Sequence, residues 1–183
     1  MEQIKELTKR LIANSFKELM LQTPFEKITI KMITDHASVI RPTFYNHFHD
    51  KYELVEWIIQ DEILNEAMDM ISSGRAKDGI NLIFTKFYED REYYRKAFDI
   101  MGQNGFADTL AELLSEMFGK AMHIKKNVNN GRIITDKVVA KYYASGMITM
   151  IQLVINETGE DVLDEVKKSY EYMMSHSIYD LIE

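Results

Sequence analysis

Cysteine is absent from all 183 residues. That absence excludes disulfides, thiolate metal sites and thiol nucleophiles together, and a reducing, cytoplasmic setting is expected. Proline is scarce: only Pro24 and Pro42 occur, both in the first quarter. Everything after Asp50 is therefore free of the residue that most effectively ends a helix. No run of about 18 apolar residues is present, so no membrane span is expected. Glu2, Lys5, Glu6, Lys9 and Arg10 interrupt any apolar segment of a signal peptide. Strand alternation is confined to the residues around Ile28-Thr29-Ile30, too few to found a sheet. There is no glycine-rich phosphate loop, no Gly-x-Ser-x-Gly elbow and no dinucleotide fingerprint. His123 and His176 have no second histidine or paired carboxylate at ligand spacing on one helix. The chain is expected to be no enzyme and to hold neither metal nor cofactor.

What is there is apolar and charged in ordinary globular proportion, 46% and 28%. The length suits one domain, or two small ones sharing a core. A net charge of −7 speaks against a polyanionic partner, but the charge is unevenly placed. Residues 1–55 carry 8 Lys/Arg against 7 Asp/Glu and three of the five histidines; the remainder carries 14 against 22. Such asymmetry hints that one end meets a polyanion.

Helical periodicity predicts a first helix over residues 2–21, with Ile4, Leu7, Leu11, Phe16 and Leu19 on its stripe. A short second helix follows Thr29, with Met32, Ile33 and Ala37 inward, and a short third runs from about Pro42 to Phe48. The fourth opens at Asp50-Lys51-Tyr52-Glu53, a capping box with Asp in the Ser/Thr place, and runs to Ser72. Further helices fit 77–90, 92–101, 105–127, 135–157 and 160–182. They are divided at Ser72-Ser73-Gly74, Gly102-Gln103-Asn104-Gly105, Asn129-Asn130-Gly131 and Thr158-Gly159. The expected fold class is all-α.

Two short helices followed closely by a long one have the shape of a helix-turn-helix unit. Phe44 and Phe48, four apart, share a face and plug the core of the small domain. Pro42, Thr43, Tyr45 and Asn46 are then left broadly outward, with Arg41 and His47 on the flanks. Hydroxyls and amides reach phosphates, and a guanidinium reads guanine in the major groove. Lys51, at the start of the fourth helix, combines a cation with exposed N–H groups that favour a phosphate.

The segment from Ile33 to Leu54 resembles the DNA-binding signature of the TetR family of regulators, as do Ile12, Ala13 and Phe16 before it. Its most diagnostic part is Thr43-Phe44-Tyr45-x-x-Phe48-x-x-Lys51-x-x-Leu54. The resemblance implies that Arg41, Pro42, Thr43, Tyr45, Asn46, His47 and Lys51 face DNA. It also implies an all-α ligand-binding body that dimerises through its last two long helices. The expected layout is a three-helix DNA-binding domain over 1–50 and an effector-binding and dimerisation domain over 51–183, connected by the long helix 50–72. The implied function is a repressor whose affinity for a palindromic operator is set by a small molecule. The alternative is a helical adaptor or co-activator controlled by a partner protein. Two positions depart from the family pattern. Ser38 stands where glycine is usual in the turn, at a left-handed cost of about 1 kcal/mol. Ile40 stands where a Ser or Thr caps the recognition helix, and Pro42 is expected to shift the cap to Arg41.

In the body, Phe87-Tyr88-Glu89-Asp90-Arg91-Glu92-Tyr93-Tyr94-Arg95-Lys96-Ala97-Phe98 with Gly105-Phe106 is similar to a TetR subgroup that includes dihydroxyacetone-kinase operon activators. Nine of the twelve methionines follow Val55, and flexible thioethers suit a loosely specified apolar pocket. Phe84, Phe87, Tyr94, Phe98, Phe118 and Met122 are the candidate lining, set against plain core packing. Residues 135–157 are apolar on nearly all sides, so a second subunit is expected to cover part of them. Tyr142, Tyr143, Met147, Met150, Ile151 and Val154, with Tyr170, Met173 and Ser177 of the last helix, are the expected homodimer contacts.

Overall fold

Pro24 cannot continue a helix, and α1 (Glu2–Gln22) stops two residues before it. The structure, a computed structural model, describes residues 2–102, 104–124 and 135–182. The Asn129-Asn130-Gly131 break and the side chains of His123 and Leu181 lie outside the described residues. A single 3-10 turn, Phe25–Lys27, leads into α2 (Ile30–His36). Ile28 and Thr29 are extended because they are two consecutive caps, Ile28 closing the turn and Thr29 opening α2 by accepting from the Met32 N–H at 3.2 Å. Among the described residues there is no strand.

Chain reversal after α2 follows from where its last backbone bonds go. The Ser38 N–H donates to the Asp35 carbonyl at 3.2 Å and the Val39 N–H to the Thr34 carbonyl at 2.9 Å. That pair of bonds is a Schellman closure, which needs a left-handed residue between its donors. Ser38 supplies it with φ 54°, the one non-glycine residue at positive φ among those described. The next helix, α3 (Arg41–Tyr45), follows at once. The chain then enters a rod made of α4 (Lys51–Ile59), a π turn (Gln60–Leu64) and α5 (Asn65–Ser72). Gly74, at φ 87°, reverses the chain into α6 (Ala76–Glu89). α5 and α6 approach so closely that a Cβ on Gly79 would sit 2.6 Å from the Ala67 carbonyl oxygen. α7 (Arg91–Phe98), α8 (Phe106–Ile124), α9 (Asp136–Asn156), α10 (Val162–Ser175) and α11 (Ile178–Ile182) complete the body. The final expected helix, 160–182, is therefore two. His176 is extended, and Ser177 exchanges hydrogen bonds with Asp180 to start α11 afresh.

A single buried cluster runs from Ile12 in α1 to Tyr170 in α10. In α1 the buried side is Ile12, Ala13, Phe16 and Met20. The expected stripe is corrected at its start: Ile4 and Leu7 are 69% and 70% exposed, and Leu11 is exposed with them. The first turns of α1 project beyond the core, so burial does not discipline their periodicity. α8 and α9 pack most extensively on each other, and α9 also meets α6, α7 and α10.

That central position bears on three expectations, of which the last two are corrected. First, α9 is long and apolar enough by composition to cross a membrane, but Lys141, Ser145 and Thr149 interrupt it, so no continuous apolar run of the expected kind occurs among the described residues. Only 33% of its most apolar window is buried within the chain, which is where its remaining apolar surface becomes informative. Second, Met147, Ile151, Val154 and Tyr170 are fully covered inside the chain and out of reach of a partner. Tyr143 and Met150 are half-buried, while Tyr142, Met173 and Ser177 are exposed. Third, the six candidate pocket residues are packed on their neighbours. Phe84 meets the Tyr170 ring at 5.1 Å, Phe87 meets Tyr94 at 4.3 Å, Phe98 meets Phe106 at 4.8 Å, and Phe118 meets Tyr143 at 6.4 Å. Met122 is half-buried against the same core. None of these six lines the largest described cavity, an open groove of about 1210 Å³ between α8 and α9 over Ala111, Ser115, Gly119, Ala140 and Ala144.

Candidate nucleic-acid interface

The platform beneath α3 is aromatic. Phe44 and Phe48 are buried with ring centres 5.7 Å apart, and Phe48 rests edge-on against Trp57 of α4 at 5.7 Å. With Phe44 pointing in, the opposite side of α3 carries Pro42 and Asn46, both exposed. Arg41 and Tyr45 occupy one flank, and the Arg41 guanidinium donates to the Tyr45 hydroxyl at 3.2 Å. Thr43 and His47, half-buried, occupy the other flank. Tyr45 is 49% exposed. Among the described residues no carboxylate pairs with Arg41 within 4 Å, so a full positive charge stands on this flank.

The start of α3 differs from expectation. Ile40, at φ −88° and ψ 152°, occupies the cap position, Arg41 is the first helical residue and Pro42 the second. The cap did not move to Arg41. Ile40 has no oxygen to offer the first turn, but Pro42 has no N–H to be satisfied, so one of the orphan donors that a serine cap would serve is missing.

Lys51 also sits differently from the expected phosphate clamp. Its ammonium donates to the carbonyls of Phe25 at 2.5 Å and Ile28 at 3.1 Å, and lies 4.0 Å from the Phe25 ring centre. Two of its three N–H donors are thus committed to the turn before α2. Burial holds this ammonium below the ordinary lysine value, with the charge of Glu26 opposing. The helix start beside it is equally occupied. The Asp50 carboxylate accepts from the N–H groups of Tyr52 at 2.8 Å and Glu53 at 2.9 Å, and Glu53 accepts from the His49 N–H at 2.5 Å. The expected capping box is present, shifted so that the glutamate reaches one residue further back.

Two lysines that sequence reasoning passed over belong to this face. Burial first, then the charges of Lys9 and Lys5, hold His47 below the ordinary histidine value, with Glu6 opposing. Lys5 and Lys9 are four apart on α1, and their i,i+4 spacing at the start of a helix was the available signal. Lys9 also lies 5.6 Å over the Trp57 ring and pairs with Glu6 at 2.9 Å. Arg41, Tyr45, Asn46, His47, Lys5 and Lys9 together give a cationic, hydroxyl- and amide-bearing surface at one end of the molecule. Such groups bind phosphates and read base edges.

Comparison with known proteins agrees with this geometry. A family model described as bacterial regulatory proteins, tetR family, matches residues 17–58. A second, described as transcriptional regulator C-terminal region of the TetR type, matches residues 74–176. The HTH-type dhaKLM operon transcriptional activator DhaS of Lactococcus lactis subsp. lactis (strain IL1403) is 30% identical over 94 residues, which are 51% of this chain and 50% of that protein. The match thus spans about half the length of that relative. Among solved structures, the dihydroxyacetone kinase operon activator DhaS aligns with a TM-score of 0.59 at 20% identity over 92% of both chains. A transcriptional regulator (TerR/AcrR family) from Aquifex aeolicus VF5 aligns with a TM-score of 0.61 at 17% identity over 92% of this chain and 98% of that one. At these identities the structural likeness shows the fold.

Proposed function

The chain belongs to the TetR family of bacterial transcription regulators, and on that premise we propose that it is a homodimeric, sequence-specific repressor whose operator affinity is set by the occupancy of its body. The observation that carries the DNA reading is the outward flank of α3, where Arg41 and Tyr45 stand exposed above the buried Phe44–Phe48 platform. Arg41 reads a base, while Tyr45, Asn46 and the third N–H of Lys51 hold phosphates. His47, Thr43 and Pro42 shape the flanks. A repressor needs only to occupy its operator, and this face is compatible with that role.

The dimer reading is supported by the outer side of α9. Val138 and Leu153 are exposed there and Tyr142 is 73% exposed, while Ser145, Gly146 and Thr149 between them allow a neighbouring backbone to approach. Tyr172, Met173 and Met174 of α10 are exposed too. An apolar strip of this kind on a helix marks a protein–protein contact, and two recognition helices are what a palindromic operator requires. The effector is a small molecule in this reading. A second reading makes the protein an activator, which the operon activator to which half of the chain is similar favours; in it the effector is a partner protein.

The test selects bound fragments from genomic DNA and measures affinity by gel shift. Arg41→Ala should relax preference at one base pair at a cost of roughly 1–3 kcal/mol, and Tyr45→Phe should weaken all sequences alike. Unchanged affinity in both sinks the DNA assignment. Transcription in vitro from the selected promoter then decides the sign: a rise on adding the protein replaces repressor by activator.

A further inference from the structure

Between the DNA-binding end and the body, charge holds the two parts together at the π turn of the rod. Arg10 and Lys17 are seven residues apart on α1, hence on one face and separated by roughly 10 Å along it. The groups they meet, Asp61 and Glu62, are consecutive, and consecutive side chains of a regular helix diverge by about 100°. Here the helix is wound as a π turn, which places an extra residue in the turn. Both carboxylates reach α1: Arg10 Nε lies 3.2 Å from Asp61 Oδ2, and Lys17 Nζ lies 2.7 Å from Glu62 Oε2. The same ammonium donates to Asp90 Oδ2 at 2.6 Å, at the corner between α6 and α7. Burial pulls the Lys17 pKa down, but the two carboxylates outweigh it and hold the ammonium above the ordinary lysine value.

Beneath this ammonium lies the ring of Tyr93, 5.4 Å from Nζ, itself edge-on to Phe16 of α1 at 6.4 Å. Tyr93 packs on Tyr94 at 4.9 Å, and Tyr94 packs on Phe87 and Phe106 in the centre of the body. Among the described residues the buried hydroxyls of Tyr93 and Tyr94 have no hydrogen-bond partner, so ring packing is what joins the core to the clamp. Three elements meet on one cation. If it withdraws, Glu62 and Asp90 lose the cation that bridges them.

We propose that Lys17 is the positioning residue of the regulator: by clamping α1 to the π turn and to the α6–α7 corner, it sets the angle at which the recognition helix is carried relative to the body. The proposal rests on the DNA-binding reading above and adds to it the contact through which repacking of the body's aromatic core changes operator affinity. An effector that moves Tyr93 and Tyr94 acts on this clamp, and through it on α1.

The absence of native cysteine makes the test direct. Nitroxide labels at Lys27→Cys, in the turn before α2 and off the DNA face, and Glu112→Cys, on α8, both exposed sites, report the angle by pulsed electron resonance. Labelled chains are diluted into unlabelled protein, so that only distances within one chain are read. The unsubstituted clamp should give one narrow distance. K17M should broaden or shift it and lower operator affinity about tenfold, a coupling of ordinary allosteric size, while K17R restores both. E62Q/D90N opens the clamp without leaving two facing carboxylates, and serves if K17M does not fold. Folded variants that lose thermal stability but keep the narrow distance make Lys17 a plain structural tie and overturn the proposal. So does a broadened distance with unchanged operator affinity. Failure of the unsubstituted protein to bind any operator tells against the DNA reading instead, and leaves the distance measurement to judge the clamp.

Discussion

α3 and α9 place their apolar residues in opposite ways. α3 hides Phe44 and presents Arg41, Pro42 and Tyr45 with Asn46 beyond them, so its outside is polar. α9 hides Ala140, Ala144, Met147, Ile151, Val154 and Ile155, and still presents Val138, Tyr142 and Leu153 to solvent. A polar outside suits phosphates and base edges; an apolar outside suits another apolar face. The exposed residues distinguish the two helices, because each has an inner face of ordinary core composition. The two surfaces proposed for DNA and for a second subunit are therefore legible by different rules, one from residue chemistry and the other only from burial.

A carboxylate placed on each face of α9 separates the two roles of that helix. Met147→Asp buries a charge in the core of the chain, where an unpaired ion costs several kcal/mol. A loss of about 4 kcal/mol or more is expected, enough to unfold most of the protein, and circular dichroism should show it. Tyr142→Asp, on the outer face, should leave the helix content intact and shift sedimentation equilibrium toward monomer. Equal effects of the two on folding would mean that the inner and outer faces of α9 are wrongly divided.

Lys51→Met separates the two roles that a lysine can play at the DNA-binding end. The ammonium bonds two carbonyls of the turn before α2, and removing it leaves those carbonyls without that donor. A loss of about 1–3 kcal/mol in urea unfolding is expected, with weaker DNA binding as a consequence of the loosened domain. A variant that unfolds as the unsubstituted protein does yet binds DNA poorly would return Lys51 to a pure phosphate contact.

These cases show where the sequence was informative. The helix-turn-helix was legible because its parts are local: Phe44 and Phe48 four apart, Asp50 and Glu53 at capping distance, and Pro24 ending α1. The helices of the body were legible for the same reason, since Gly74 and Gly102 mark their ends with positive φ. What stayed hidden depends on tertiary packing. The π turn has no local signature in Gln60–Leu64, and its effect appears only when Asp61 and Glu62 meet α1. The exposure of Ile4 and Leu7 follows from how far α1 outruns the small core. The division of α9 into inner and outer faces was invisible because both are apolar, which is how Met147 came to be expected at a subunit contact. The break at His176 was hidden because Ser177 and Asp180 read equally well as surface residues of a continuing helix.

Ser38→Gly tests the one strained residue of the turn. Glycine occupies φ 54° freely, whereas serine does so at a cost of about 1 kcal/mol. The variant should gain roughly that much, less the extra freedom glycine has when unfolded, and melt about 2 °C higher. DNA affinity should hold, because Ser38 lies before the recognition helix. A lower melting temperature would mean that the serine side chain contributes more than the strain removes.

The smallest expected effect is a proton. Burial, Lys9 and Lys5 hold His47 below the ordinary histidine value, so in the free protein its ring is neutral at pH 7 and resists charging as pH falls. The unfolded chain takes up that proton more readily than the folded one between its ordinary value of about 6.5 and the lower folded value, so folding stability declines as pH falls through that window. DNA should act in the opposite direction. Phosphates placed near His47, Lys9 and Lys5 offset the lysine charges and favour the imidazolium, raising its pKa in the complex above that of the free protein. Affinity should then rise as pH falls, by less than tenfold per pH unit because a single group takes part. Comparing gel-shift affinities of the unsubstituted protein and His47→Gln across pH 5.5–8 isolates this group from His36 and His49. The unsubstituted protein should gain on the variant toward acid. A constant ratio between them across the range would place His47 away from the phosphates and leave Arg41, Tyr45, Asn46, Lys51 and the α1 lysines on the DNA face.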